Sequence, residues 1–488
     1  MENTDLKLDF ACVGDFRGVP ISSISLACAL LAGCAVGPNY KRPAVDAPAQ
    51  FRSEQSAQRQ ASLADLPWWQ IFNDETLGDL IKIALTNNYD LRVAVSRIEQ
   101  ARAIAAEVRS ALFPQVGYEA DISRGQNSIG SRPGASGGQT SDLALGVLSV
   151  SWEIDLWGRI RRADEAARAQ LLATEEAMRG VMLSLVSDVA QAYFELLELD
   201  LQLDIAHRST QSFGESLSLF RQRLEGGVGS KLETARAEAS LATAASNVPD
   251  LERLIVIKEN QVNLLLGRNP GPILRSKTLL EQRLPLEIPV GLPSWLLERR
   301  PDVRAAEQQV VAANAQIGVV TADFFPRLDL TTFFGRVSPQ LSILTGGKSS
   351  TWAVGGSLIG PIFQGGRLLG QYDQAEAQWN EAQLRYQQTA LNAFQEVSNA
   401  LISRQRFEEV RAEQIRAVSS LKNAVQFSTQ RYVAGLSSYF EVLEAQQQLF
   451  PAENALAQTQ FNELLVIVQL YKSLGGGWNL ADDQWGGP

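Results

Sequence analysis

From Arg159 to about Leu224, and again from Ser230 to Leu266, the chain is almost unbroken Ala, Leu, Glu, Gln and Arg. Apolar residues such as Leu217, Phe220 and Leu224 return there at helical spacing. The pattern predicts two long helices joined by a tight turn, with enough alanine for close coiled-coil approach. Arg367 to Val433 and Ser438 to Leu474 repeat it. At 1.5 Å per residue, ~65 residues of helix reach roughly 100 Å, longer than any bilayer is thick. The only prolines inside these runs are Pro249 and Pro451. Ahead of each pair of helices the period drops to two. In Asp142–Ile154, Leu143, Leu145, Val147, Ser149 and Ser151 fall on one face and Ala144, Gly146, Leu148, Val150 and Trp152 on the other, which predicts a strand. Further strands are expected over 115–124, 327–337 and 351–363, and a helix over 74–111 that Pro114 ends. The Gly- and Ser-rich stretch 126–139 reads as a loop.

The chain repeats itself once. Asp90-Leu91-Arg92-Val93-Ala94 matches Asp302-Val303-Arg304-Ala305-Ala306, and Leu112-Phe113-Pro114 matches Phe324-Phe325-Pro326, both at an offset of 212. Gly158-Arg159, Arg223, Gly227, Glu233 and Gly267 match Gly366-Arg367, Arg431, Gly435, Glu441 and Gly475 at an offset of 208. A constant offset over more than a hundred residues implies two copies of one structural unit. The organisation expected is a leader over 1–33, an N-terminal segment over 34–73, repeat 1 over 74–275, a linker over 276–291, repeat 2 over 292–477 and a tail over 478–488. Each repeat reads helix, two strands, long helical hairpin. Four strands cannot close a membrane barrel, because small barrels need about eight and an open edge in lipid leaves backbone groups unpaired. Several chains would have to pool theirs.

Composition narrows the chemistry. Formal net charge is -10, so a sequence-independent grip on nucleic-acid phosphates is not expected. Cys12, Cys28 and Cys34 are the only cysteines and His207 the only histidine, which removes disulfide frameworks, zinc sites and Ser-His-Asp catalysis. No catalytic cluster, phosphate loop, metal or cofactor is expected. The apolar run Ile21–Ala32 is too short to span a membrane and has the length of a secretory leader core. It ends in Leu31-Ala32-Gly33-Cys34, which resembles a bacterial lipobox and marks Cys34 for lipidation. Ala35 follows, where an inner-membrane retention signal would carry aspartate. The first residues are acidic, with Glu2, Asp5, Asp9 and Asp15 against Lys7 and Arg17, whereas a leader should start basic. This reading puts the true start downstream of the first dozen.

Several motifs together resemble the TolC-like outer-membrane factors, in their lipidated NodT-type multidrug-efflux branch. They are Leu31-Ala32-Gly33-Cys34-Ala35-Val36-Gly37-Pro38-Asn39-Tyr40, Pro67-Trp68-Trp69, Trp152-Glu153-Ile154-Asp155-Leu156-Trp157-Gly158-Arg159, Glu298-Arg299-Arg300-Pro301-Asp302, Gly360-Pro361-Ile362-Phe363-Gln364-Gly365-Gly366-Arg367 and Leu474-Gly475-Gly476-Gly477-Trp478. The resemblance covers nearly all of 31–480. It implies a mixed α and β homotrimer: twelve pooled strands form one β-barrel in outer-membrane lipid, continued by a periplasmic α-helical coiled-coil barrel. It also implies a periplasmic adaptor (membrane fusion protein), an energising inner-membrane pump of the proton-driven RND class, and no enzyme activity.

The resemblance makes the two hairpin turns the adaptor-facing tips: Gly226, Gly227, Val228, Gly229 and Ser230 in repeat 1, and Gly435, Leu436 and Ser437 in repeat 2. Phe440 and Glu444 share a helix face, and the family's periplasmic gate transfers to them as an apolar and an acidic ring. Three carboxylates at about 6 Å repel by roughly 3 kcal/mol per pair at an effective dielectric near 20, which favours cations. Gln447 stands where the family often has arginine, which weakens any salt-bridge lock. Trp152 and Trp157, at a strand end, are interface-anchor candidates, whereas Trp68 and Trp69 are expected to pack in the periplasmic belt. A protein-export duct and a non-channel periplasmic scaffold lipoprotein remain alternative readings of the same chain.

Overall fold

In the computed structural model of the protein, the described residues are 35–51, 62–72, 74–126, 140–282, 291, 293–339, 344, 349–477, 479–482 and 484–485. They form two compact units, one holding the described residues within 35–40, 103–168 and 311–380, the other those within 41–102, 169–310 and 381–485. In chain order the main elements are α1 (Trp68–Ile71), α2 (Glu75–Asn87), α3 (Tyr89–Ser110), β1 (Gln115–Gln126), β2 (Thr140–Ile154), α4 (Arg159–Glu225), α5 (Lys231–Leu265), α6 (Leu296–Arg299), α7 (Pro301–Ala322), β3 (Arg327–Ser338), β4 (Ser350–Ile359), α8 (Arg367–Val433) and α9 (Tyr439–Ser473).

The repeat governs the architecture. α4 and α8 each run 67 residues and α5 and α9 each run 35. Each hairpin helix ends with the same hydrogen-bond pair: Gly267 N–H to Leu264 and Arg268 N–H to Asn263 close α5, while Gly475 to Lys472 and Gly476 to Tyr471 close α9. The helix expected over 74–111 is instead two. Asn88 leaves the helical region (ψ 132), its Oδ1 accepts from the Leu91 N–H at 3.0 Å and its Nδ2 donates to the Leu265 carbonyl at 2.9 Å. Arg300 breaks the second copy in the same way (ψ 124) and donates to the Ser473 carbonyl at 3.0 Å. A short polar side chain and a buried cation thus do the same work, tying the first helix of a repeat to the end of its last.

The first unit holds one antiparallel sheet, in the order β1-β2-β3-β4. β2 and β3 pair from Ala144↔Ser338 to Ile154↔Leu328, so the two repeats join through the sheet. β4 ends at Ile359, short of the expected 363, because Gly360-Pro361 cannot extend it: proline brings no N–H. In the second unit, Trp68 is fully buried with its indole N–H donating to the Trp485 carbonyl at 2.9 Å, so it packs rather than anchors.

Candidate functional site

Three features of the chain could do work: the hairpin tips, the sheet faces and the strap that follows Cys34. At the first tip, Gly227 N–H donates to Leu224 and Val228 N–H to Arg223, both at 3.0 Å, with Gly227 at φ 77°. The second tip repeats this with Gly435 to Tyr432 (3.0 Å), Leu436 to Arg431 (2.8 Å) and φ 74°. A left-handed residue is needed to turn the chain here, and only glycine takes that conformation without strain. Ser230 then caps α5, accepting from Leu232 N–H at 3.1 Å while Glu233 accepts from Ser230 N–H at 3.0 Å. The second tip departs from this: Glu441 lies 3.6 Å from Arg431 instead.

Behind the tips, Phe213, Leu217, Phe220, Tyr432, Tyr439, Val442 and Leu443 form one buried cluster that holds the two hairpins together. The Phe220 and Tyr439 ring centres are 3.8 Å apart, and the Arg223 guanidinium lies 4.6 Å above the Tyr432 ring. Burial, with Tyr432 and Glu233 nearby, pushes the Tyr439 hydroxyl up to about 12. Facing outward are Val228, Leu232, Leu436 and Phe440, all exposed, two at matching positions of each repeat.

The sequence-derived gate residues lie on this outward side. Phe440 is 59% exposed and Glu444 is exposed one turn on, accepting from Gln448 Nε2 at 3.3 Å. Gln447 donates to Ser240 Oγ at 3.5 Å. Gln446 is buried on the opposite side, donating to Ser212 and Ser216 hydroxyls at 2.9 and 3.2 Å. α9 therefore turns one face to its own hairpins and presents Phe440 and Glu444 away from them. One chain supplies one of each, so any ring needs further copies.

The sheet sorts its side chains by strand register. One face carries Val116, Tyr118, Ala120 and Ile122 of β1, Leu148, Val150 and Trp152 of β2, Leu328, Leu330 and Phe334 of β3, and Trp352, Val354 and Leu358 of β4. Most of these are exposed. A cross-strand row Tyr118–Leu148–Phe334–Trp352 is rich in aromatics. The other face mixes polar residues, Gln115, Glu119, Asp121, Ser149, Ser151, Asp329, Thr331, Thr351 and Ser357, with apolar ones, Leu143, Leu145, Val147, Phe333, Val337 and Ile359. An exposed face rich in aromatic and branched apolar residues, backed by one that carries most of the sheet's carboxylates and hydroxyls, is the sidedness of strands set between lipid and water. Of the anchor candidates, Trp157 is half-buried, stacked on Phe325 at 4.6 Å with its N–H on the Pro326 carbonyl at 2.8 Å, and Trp152 donates to the Leu112 carbonyl at 3.0 Å.

Cys34 lies outside the described residues, but the strap that follows it is seated firmly. Val36 N–H donates to the Trp157 carbonyl at 3.0 Å. Gly37 (φ 94°) passes so close to Gly318 that a Cβ would stand 2.5 Å from the Gly318 Cα. Arg162, buried, donates to the Val36 carbonyl (3.3 Å), the Gly37 carbonyl (3.4 Å) and Asn39 Oδ1 (2.8 Å), and Asn314 Nδ2 donates to the Pro38 carbonyl at 2.9 Å. Sequence reasoning missed Arg162. Its signal was faint: one more arginine in the basic run Arg159–Arg162 that opens a helix.

Comparison with known proteins gives a consistent result. The family model described as "Outer membrane efflux protein" matches residues 80–268 and 292–476, the two repeats. The toluene efflux pump outer membrane protein TtgI of Pseudomonas putida is 33% identical over 473 residues, 96% of this chain and 100% of the relative. The cation efflux system protein CusC of Escherichia coli is 33% identical over 451 residues, 92% and 96% of the two chains. Among solved structures, the outer-membrane channel OprN superposes with a TM-score of 0.85 at 32% identity, over 91% of this chain and 100% of its own.

Proposed function

We propose that this chain, which belongs to the outer membrane efflux protein family, works as a homotrimeric exit duct of a tripartite efflux system. The chain is an outer-membrane channel component, and its family and relatives are channel proteins rather than enzymes. Three sets of four strands close one barrel, apolar face to the lipid and polar face to a water-filled lumen, and the long hairpins carry the tunnel into the periplasm. The observation that carries this is the sheet itself: an exposed face rich in aromatic and branched apolar residues, a more polar reverse and, among the described residues, unpaired edges at β1 and β4 fit a structure completed by further copies in lipid. It also weighs against a non-channel scaffold, and the efflux names of the relatives weigh against protein export.

At the far end, the exposed tips Gly226–Ser230 and Gly435–Ser437, with Val228 and Leu436 at matching positions, meet a periplasmic adaptor, which joins the duct to an inner-membrane pump of the proton-driven RND class. Phe440 and Glu444 form the periplasmic gate, with three-fold symmetry gathering three of each. Cys34 carries the lipid anchor of the lipidated branch. The seating of residues 36–39 against Trp157 and Arg162 supports this, since it holds the residues next to Cys34 at the base of the sheet. The named relatives serve toluene and cation efflux on one fold, which suits a duct that passes what its pump supplies, small molecules such as drugs among them.

The gate is tested by single-channel conductance in planar bilayers. Phe440→Ala with Glu444→Ala should open to a larger conductance than wild type, and the double variant should lose cation preference. Equal conductance and equal selectivity in the two proteins would remove the gate assignment while leaving the duct.

A further inference from the structure

The internal repeat brings out a difference between two grooves, both within the second unit. In repeat 2, Arg42 bridges the groove, donating to the Leu297 carbonyl at 2.9 Å and to Glu307 at 2.8 Å. Tyr386, fully buried, lies beside its guanidinium. The offsets of 212 and 208 carry Leu297, Arg304, Glu307 and Tyr386 back to Leu85, Arg92, Val95 and Met178 of repeat 1. Those four residues line one cavity of about 540 Å³. Val95 offers no charge where Glu307 does, so an arginine would have nothing to pair with there. The space that Arg42 and Tyr386 take up in one repeat is left open in the other.

The cavity has a buried apolar floor of Leu91, Met178, Met182 and Trp485 and an exposed polar rim of Thr86, Arg92 and Ser96. Methionine is unbranched and adapts its shape to an apolar guest. Trp485 is fixed by its carbonyl, which accepts from the Trp68 indole at 2.9 Å, and Asp482, the carboxylate in the lining, is engaged by Arg179 at 3.1 Å. The indole N–H of Trp485 is itself buried, in a residue only 4% exposed, and among the described residues it meets no acceptor. Buried donors are nearly always paired in native proteins, so one left open in a cavity wall points to an acceptor that a guest brings. At the rim, Arg92 lies 5.5 Å from the Tyr89 ring, and among the described residues no carboxylate pairs with it. Its counterpart Arg304 is neutralised by Glu176 at 2.8 Å.

We propose that this cavity binds a medium-chain fatty carboxylate, with the chain on Leu91, Met178 and Met182 and the carboxylate accepting from Arg92 and from the Trp485 indole N–H. A concave, mostly apolar wall with a few polar groups is the general form of a small-molecule site, and this volume falls in the usual range. The charge selects the class of guest. An alkyl cation would meet Arg92 as a like charge, and a neutral alcohol would leave Arg92 without a counter-ion. The site shares no residue with the tips, the sheet or the strap, and it stands whether or not Phe440 and Glu444 form a gate.

Besides Met1, the only methionines of the chain are Met178 and Met182, so methyl-labelled methionine reports directly on the cavity floor. The full chain, labelled in this way and held in a non-ionic detergent, is titrated with dodecanoate at fixed detergent concentration and followed by NMR. Both methyl signals should shift and saturate together, and each methylene removed from the chain should weaken binding about fourfold. Arg92→Gln, an exposed change, should weaken it about threefold to fivefold, and Trp485→Phe about tenfold. Dodecyltrimethylammonium should not compete. Met178→Tyr, which fills the floor as Tyr386 does in repeat 2, should remove the saturable shift at Met182. Shifts that rise linearly without saturating, as partition into the detergent gives, overturn the site. Saturation that is the same for dodecanol as for dodecanoate, and indifferent to Arg92→Gln and Trp485→Phe, overturns the preference for an anion. Unchanged affinity in Met178→Tyr puts the guest elsewhere and overturns the cavity assignment.

Discussion

Replacing Glu198 with glutamine should stabilise the protein at neutral pH and have no such effect in acid. Glu198 sits in α4 with 4% of its surface exposed. Burial, and then the charge of Glu195, push its carboxyl from the ordinary 4.5 up to about 7, partly opposed by Lys258. Lys258 gives little relief because it is engaged with Glu195 at 2.7 Å, and among the described residues Glu198 is met directly by the Gln202 amide. A carboxyl raised this far binds its proton more tightly folded than unfolded. Its penalty is therefore fully present above about pH 7, shrinks as pH falls, and is gone below 4.5. At 1.36 kcal/mol per pH unit the ceiling is ~3.4 kcal/mol, and roughly 2–3 kcal/mol is expected, since the side chain relaxes and water reaches part of it. Glu198→Gln keeps the size and the bond from Gln202 while removing the charge. Thermal melting in detergent from pH 4.5 to 8 should show the variant several degrees above wild type at pH 8, the gap closing by pH 5. A gap that stays constant across this range would refute the reasoning, because the titration of one buried carboxyl would then not be its cause.

Other positions yield sharp expectations. Arg300→Met removes a buried cation that donates to the Ser473 carbonyl, Glu396 (2.6 Å) and Asp302 (2.7 Å); because both carboxylates are about half exposed and stay solvated, it should cost about 1–3 kcal/mol, mainly through the unpaired carbonyl, read as a lowered melting point, and an unchanged one would mean the tie between repeat ends is idle. Gly227→Val and Gly435→Val force a side chain into left-handed backbone at the tips, a strain of ~1–2 kcal/mol each; hydrogen exchange should quicken at the tip amides alone, and quickening throughout α4 or α8 would contradict a local effect. Arg162→Met should free the strap, so that protease cleaves near residues 36–40 in the variant while wild type resists; equal resistance would show that Gly37 and Asn314 hold the strap unaided.

Much of this was legible in sequence because it depends on period and spacing. Long Ala- and Leu-rich runs gave the hairpin helices to within a residue or two, since propensity, periodicity and glycine terminators such as Gly227 and Gly435 all agree there. Alternation found all four strands, and a constant offset found the repeat. Where reading failed, a single residue overruled the pattern. Asn88 breaks a helix whose periodicity runs straight through it, because its side chain has a carbonyl partner, Leu265, that is 177 residues away in sequence. Gly360-Pro361 stops β4 although alternation continues to Phe363. Arg162 and Glu198 look like ordinary charged helix residues in sequence; only tertiary packing shows one clamping a strap and the other buried. Phe440 and Glu444 were singled out by resemblance, and the fold shows them on the face of α9 turned away from its own hairpins.

The most direct test of the central claim is the conductance of the purified, detergent-solubilised wild-type protein in planar bilayers, alongside its mass by sedimentation. The account predicts discrete channel openings from a species of three chains. A three-chain species that inserts yet passes no current would contradict it.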